Sequence, residues 1–149
     1  MTARALFLSA VAVISLAVTG CAADVVPIAT PTPTETAANI PSFQPEGDAF
    51  ANKVYFDWVL EPVATANQDQ PGKALVNALV HAGFPKRNMQ VTFDLTQTKV
   101  VADSVIVAVR VGSSCLIGQR TVGKDYYSTI ETALSTGGCL IGITRKIDW

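Results

Sequence analysis

Histidine is almost missing from this chain. His81 is the only one among 149 residues, so a multi-histidine metal centre cannot be assembled within one copy. Cysteine is scarce too, at Cys21, Cys115 and Cys139. None stands in a Cys-x-x-Cys redox pair, and a zinc site would need further ligands that the chain does not supply. Charge is sparse and balanced, with 11 basic against 12 acidic residues and a formal charge of −1. No basic patch argues for nucleic acid, and there is no acidic tail. The sequence also has no Gly-x-Ser-x-Gly elbow, and Ser113 and Ser114 read as turn residues. "PGKAL" (Pro71 to Leu75) lacks the upstream glycine and the following Ser or Thr of a phosphate loop. Asp94, Asp103 and Asp125 match no calcium-loop spacing and read as strand ends and a helix cap. These absences leave no metal or cofactor to expect and argue against an enzyme.

What is present begins at the N-terminus. Met1 to Arg4 carries one positive charge, and "ALFLSAVAVISLAVTG" (Ala5 to Gly20) is apolar and uncharged, as in a signal peptide. It is short of the roughly 20 residues that a membrane span needs. The segment closes in Val18-Thr19-Gly20-Cys21, which resembles the bacterial lipobox, so residues 1–20 read as a lipoprotein signal peptide and Cys21 as the acylated N-terminus of the mature chain. Each CH2 of a palmitate-type chain buried in lipid contributes about 0.8 kcal/mol, and two chains anchor stably. The expected location is the extracytoplasmic face of the cell membrane, held by lipid. Residues 21–47 hold Pro27, Pro31, Pro33, Pro41 and Pro45 among threonines and alanines. Such a composition cannot offset its ordering entropy by burial, so it reads as a disordered tether that gives the domain reach.

Export sets the redox chemistry. With Cys21 acylated, Cys115 and Cys139 are left outside the cytoplasm, where disulfides persist, and only one intramolecular pairing is open to them. Both lie in the same four letters, Cys-Leu-Ile-Gly, at residues 115–118 and 139–142. On two neighbouring strands, Ile117 and Ile141 would share the bridge's face, with Leu116 and Leu140 opposite. Parallel and antiparallel pairing both remain open.

Residues 48–149 read as one domain. Asp48 is placed to cap a helix whose apolar face is Phe50, Ala51, Val54, Phe56, Trp58 and Val59, interrupted at Pro62. Asp69 and Pro71 open a second helix, with Leu75, Val76, Leu79 and Val80 at helical spacing and Gly83 as its stop. His81 falls at its end, as a surface residue. Met89, Val91 and Phe93 alternate with polar residues as in a half-buried strand. Val105, Val107, Val109 and Val111 alternate with Ile106, Ala108 and Arg110 in a strand apolar enough on both faces to be central. Cys115 to Arg120 gives a third strand and Leu140 to Thr144 a fourth. Between them "DYYSTIETALST" reads as a third helix, with Ser128 and Glu131 spaced as a capping box. The expected class is α+β: two N-terminal helices, then a mostly antiparallel four-stranded sheet with a third helix before the last strand, and one disulfide.

"YFDWV" (Tyr55 to Val59), "LVNALVHAGF" (Leu75 to Phe84), "ADSVIVAVRVGSSCLIGQ" (Ala102 to Gln119) and "GGCLIGITRKIDW" (Gly137 to Trp149) together resemble a family of small actinobacterial envelope lipoproteins carrying a domain of unknown function. The resemblance implies secretion, lipid anchoring and the disulfide, and brings no activity or catalytic residues with it.

Two places suit a binding surface. Lys124 lies in a flexible loop before Tyr126 and Tyr127. On a helix only one of the two tyrosines faces the core, which leaves Tyr126 either packed over the helix start or offered to a partner. Trp149 either plugs into the domain or presents a contact. The favoured expectation is a tethered, non-catalytic module for an envelope protein or glycan; the alternative is a small carboxylate-dependent envelope enzyme or hydrolase accessory.

Overall fold

The computed structural model describes residues 39–66 and 71–149. The expected signal peptide, Cys21, Asp69 and the expected tether up to residue 38 lie outside the described residues.

Helix α1 spans Ala49–Ala66. Asp48 starts it as expected, its Oδ1 accepting the Ala51 amide at 2.8 Å. Pro62 lies inside the helix and does not end it. It is exposed, and the turn beyond it is held by Ala64, which is buried in the core. The expected apolar face is divided: Ala49, Asn52, Phe56, Leu60 and Ala64 are buried, whereas Phe50, Val54 and Trp58 point to solvent. Asn52 can be buried because its side chain bonds the Gln44 amide and carbonyl, both at 2.9 Å, fastening the entering chain to the helix.

Helix α2 covers Gly72–His81 and buries Leu75, Val76 and Leu79. It ends as the sequence implies. Gly83 takes φ +97°, its amide bonds the Val80 carbonyl, and the Phe84 amide reaches back to Leu79, both at 3.0 Å.

Four antiparallel strands follow: β1 (Met89–Val91), β2 (Ser104–Val111), β3 (Ser114–Thr121) and β4 (Tyr127–Thr132). They pair in chain order, a meander with β2 and β3 inside. Register pairs Val107 with Val91 on one side and with Gly118 on the other, while Leu116 faces Ile130. Val105, Val107, Val109 and Leu116 therefore meet the two helices in one core with Phe56, Leu60, Leu79 and Phe84. On the opposite face Ala108 and Cys115 form a smaller cluster with Cys139, packed by Ile117, Ala133 and Leu140.

The disulfide joins Cys115 to Cys139, with Cα atoms 5.7 Å apart. The element around the second cysteine differs from expectation. There is no fourth strand at Leu140 to Thr144, where Gly142 takes φ +95° and the segment bends past β1. Neither parallel nor antiparallel pairing of the two copies applies. Leu140 packs on the cystine's own face and Ile141 is 90% exposed, so the expected sharing of faces holds for the first copy alone. The expected third helix is also replaced. Tyr127–Thr132 is β4, because Ser128, Ile130 and Thr132 complete the helix-facing side of the sheet and β3 offers a free edge. Asp125 accordingly caps no helix and is exposed in the turn before β4.

Candidate functional site

Beyond β1 the chain leaves the sheet in a small excursion that returns at β2. Its base is tied by the Thr92 amide to the Ile106 carbonyl and the Ile106 amide to Thr92 Oγ1, both at 2.9 Å. Its neck is a bridge between Leu95 and Val101. Its tip is a turn in which the Lys99 amide bonds the Thr96 carbonyl and Lys99 takes φ +65°, a left-handed conformation that a lysine adopts at a cost. Phe93, Leu95, Val100 and Val101 are all exposed along it. Phe93 was expected to continue the buried alternation of β1, but the strand ends at Val91 and the ring faces outward.

The C-terminal segment runs alongside. The Arg145 amide donates to the Val91 carbonyl at 2.8 Å, fixing the segment to the free edge of β1. Between the excursion and this segment lies a groove of about 740 Å3 lined by Phe93, Asp94, Leu95, Lys99, Ile143 and Arg145, among others. Its floor is polar and already organised. Asp94 accepts the Gly72 amide at the start of α2 through Oδ1 and pairs with Arg145 through Oδ2, at 2.5 and 2.6 Å. This close approach needs a glycine, since a Cβ on Gly72 would stand 2.7 Å from Val91 Cγ2. The Arg145 guanidinium lies 4.6 Å from the Trp149 ring centre, so the arginine is held between a carboxylate and an indole. The walls are apolar: Phe93 and Leu95 are each about half exposed, and Ile143 is 82% exposed. Chemically, this is an apolar slot with a fixed ion pair at its base, within the size range of ligand pockets.

The residues singled out from the sequence do not converge there. Trp149 plugs into the domain, donating Nε1–H to Asn77 Oδ1 at 3.1 Å with Lys73 and Lys86 about its ring. Lys124 is exposed in the turn before β4. The two tyrosines exchange the roles expected of a helix: Tyr126 packs against the main core and Tyr127 is 61% exposed, because the chain enters a strand and successive side chains alternate faces.

Tyr126 belongs to a polar clamp between α1 and β4. Asp57 accepts hydrogen bonds from Ser128 Oγ at 2.6 Å and from the Tyr126 hydroxyl at 3.1 Å, and pairs with Lys53. Lys53 Nζ also donates to Ser128 Oγ at 2.6 Å. Burial, reinforced by the Asp57 charge, pushes the Tyr126 hydroxyl well above the ordinary phenol range, so it stays a neutral donor. Ser128 is bonded on both sides and Lys53 is paired with Asp57, an arrangement suited to fastening rather than to nucleophilic attack. The Lys53–Asp57 spacing on a helix was the one sequence signal of this clamp. Among the described residues no group of three or more His, Cys, Asp or Glu is placed to hold a metal ion.

A family model, described as a domain of unknown function (DUF6993), matches residues 60–143, more than half of the chain. The chain belongs to that family. The DUF6993 match runs from the last turns of α1 through the whole sheet and takes in every groove residue except Arg145. No curated protein and no solved structure matches this DUF6993 chain.

Proposed function

We propose that this protein is a lipid-anchored, extracytoplasmic lipoprotein of an actinobacterial envelope, and that its folded domain is a non-catalytic binding module. The anchor is supported by the lipobox-like Val18 to Cys21, and the extracytoplasmic setting by the Cys115–Cys139 disulfide. The observation that carries the binding reading is the groove of Phe93, Leu95 and Ile143 over the Asp94–Arg145 pair. Three exposed apolar side chains around a rigid polar floor suit capture of an apolar portion of an envelope protein or glycan-bearing ligand, the fixed ions setting its orientation. The carboxylate enzyme considered from the sequence needs two carboxyl groups facing each other across a cavity. This groove contributes Asp94 alone, and both of its oxygens are engaged.

The test is a photoreactive leucine analogue at Leu95 of the full-length protein in intact cells, with mass spectrometry of the adduct. A defined envelope adduct that disappears in Ile143→Asp is expected. Absence of any adduct, together with turnover of an envelope substrate by the purified protein, overturns the reading.

A further inference from the structure

Helix α1 is apolar nearly all round, and among the described residues nothing covers its outward side. Phe50, Val54 and Trp58 recur every fourth residue on the side opposite Phe56 and Leu60, and they are 73%, 65% and 53% exposed. Between Asp48 and Glu61 the only charges are Lys53 and Asp57, and those are turned into the clamp with Ser128. A helix face with this pattern suits an apolar partner.

The entering chain indicates which partner. Residues 22–38 are all that separates Cys21 from the first described residue, so the contour reach is about 60 Å at ~3.3–3.6 Å per residue. The chain enters the domain beside the exposed face. Phe43 lies 6.3 Å from Tyr55 between ring centres, and Tyr55 stacks on Trp58 at 6.0 Å. A domain delivered to a bilayer at that spot meets it with an aromatic-rich face. Tethering sets a local concentration of lipid surface high enough for a weak contact to be populated. A second copy is the poorer match. With ~150–250 Å2 available per aromatic side chain, the three residues offer about 400 Å2, half of the ~800 Å2 per partner typical of a stable dimer.

We infer that the outward face of α1 rests in the interfacial layer of the membrane that holds the anchor, with Phe50, Val54 and Trp58 inserted at the headgroup and acyl boundary. Trp and Phe favour that layer, and such faces penetrate it by ~5–10 Å. The inference rests on the lipid-anchor reading.

The acylated mature protein, beginning at Cys21, reconstituted in phosphatidylcholine vesicles, separates the two. Trp58 and Trp149 are the only tryptophans, so Trp58→Ser, a surface change checked by circular dichroism, isolates the Trp58 emission by difference. With brominated lipid the Trp58 emission is expected to fall by about half, while the plugged Trp149 is unaffected. Co-flotation with vesicles but no quenching of Trp58 overturns the inference and leaves the anchor standing. Failure of the wild-type protein to float overturns the anchor reading and with it the inference. A disulfide-linked dimer formed through Val54→Cys on the vesicles assigns the face to a second copy and also overturns it.

Discussion

Tyr126 shows how one side chain couples sequence position to alkaline stability. Its hydroxyl is buried beside Asp57 and its pKa is raised above the ordinary value of about 10. Once the solution pH passes the unfolded value, the unfolded chain releases this proton and the folded chain does not. The unfolded state then binds fewer protons, and stability falls as pH rises. The Tyr126 contribution is therefore complete below pH ~10 and is lost progressively above it. Tyr126→Phe is expected to cost about 1 kcal/mol at neutral pH through the lost bond to Asp57. The same variant should flatten the stability decline above pH ~10 in urea titrations. An unchanged alkaline slope would place the effect elsewhere. From the sequence Tyr126 was the exposed member of the pair. That expectation depended on helical period, and the strand reversed it.

The elements were legible where local pattern and tertiary environment agreed. Asp48 capping α1, Gly83 closing α2 and the alternating valines of β2 each carry a short-range signal strong enough to survive folding. β4 did not, because Ser128, Glu131 and Ile130 fit a helix at least as well as a strand, and the open edge of β3 decided between them. Leu140 to Thr144 failed for another reason: Gly142 turns the chain where an extended strand would run on. The groove was invisible in advance because Phe93, Asp94, Ile143 and Arg145 become neighbours only when the C-terminal segment docks on β1. The two Cys-Leu-Ile-Gly copies prove unlike. In the first, Gly118 faces α1, where a Cβ would lie 2.8 Å from Leu60 Cδ1 and 3.2 Å from Phe56. Gly118→Ala should therefore push α1 off the sheet and cost about 1–3 kcal/mol, read as a lower melting temperature. Gly142→Ala has open space around it, and its cost comes from the positive φ of the turn alone, so it should leave the helix–sheet packing untouched. An unchanged melting temperature in Gly118→Ala would show that α1 does not seat against β3 as described.

At the scale of the molecule, the disulfide holds the Ala133 to Leu140 cover on the face of the sheet that the helices leave bare. Joining two cysteines at a sequence separation of 24 stabilises by about 3 kcal/mol in the chain-entropy model. Reduction, or Cys139→Ser, should lower the unfolding midpoint accordingly, and it should release the far end of the chain before the helices and β2 unfold. Hydrogen exchange resolves that order: amides of residues 133–140 lose protection first. If all amides lose protection together, the cover is no separate unit.

The meander has a kinetic counterpart. Because every strand pairs with its sequence neighbour, most of the domain can assemble by closing short loops, which is the fast regime of folding. Two closures are the exceptions. Helix α1 must find β4 across as many as 75 residues, in the bond of Lys53 to Ser128. Arg145 must find Asp94 across 51 residues and Trp149 must find Asn77 across 72. The sheet therefore assembles by local steps, and the groove is completed only by a long-range one.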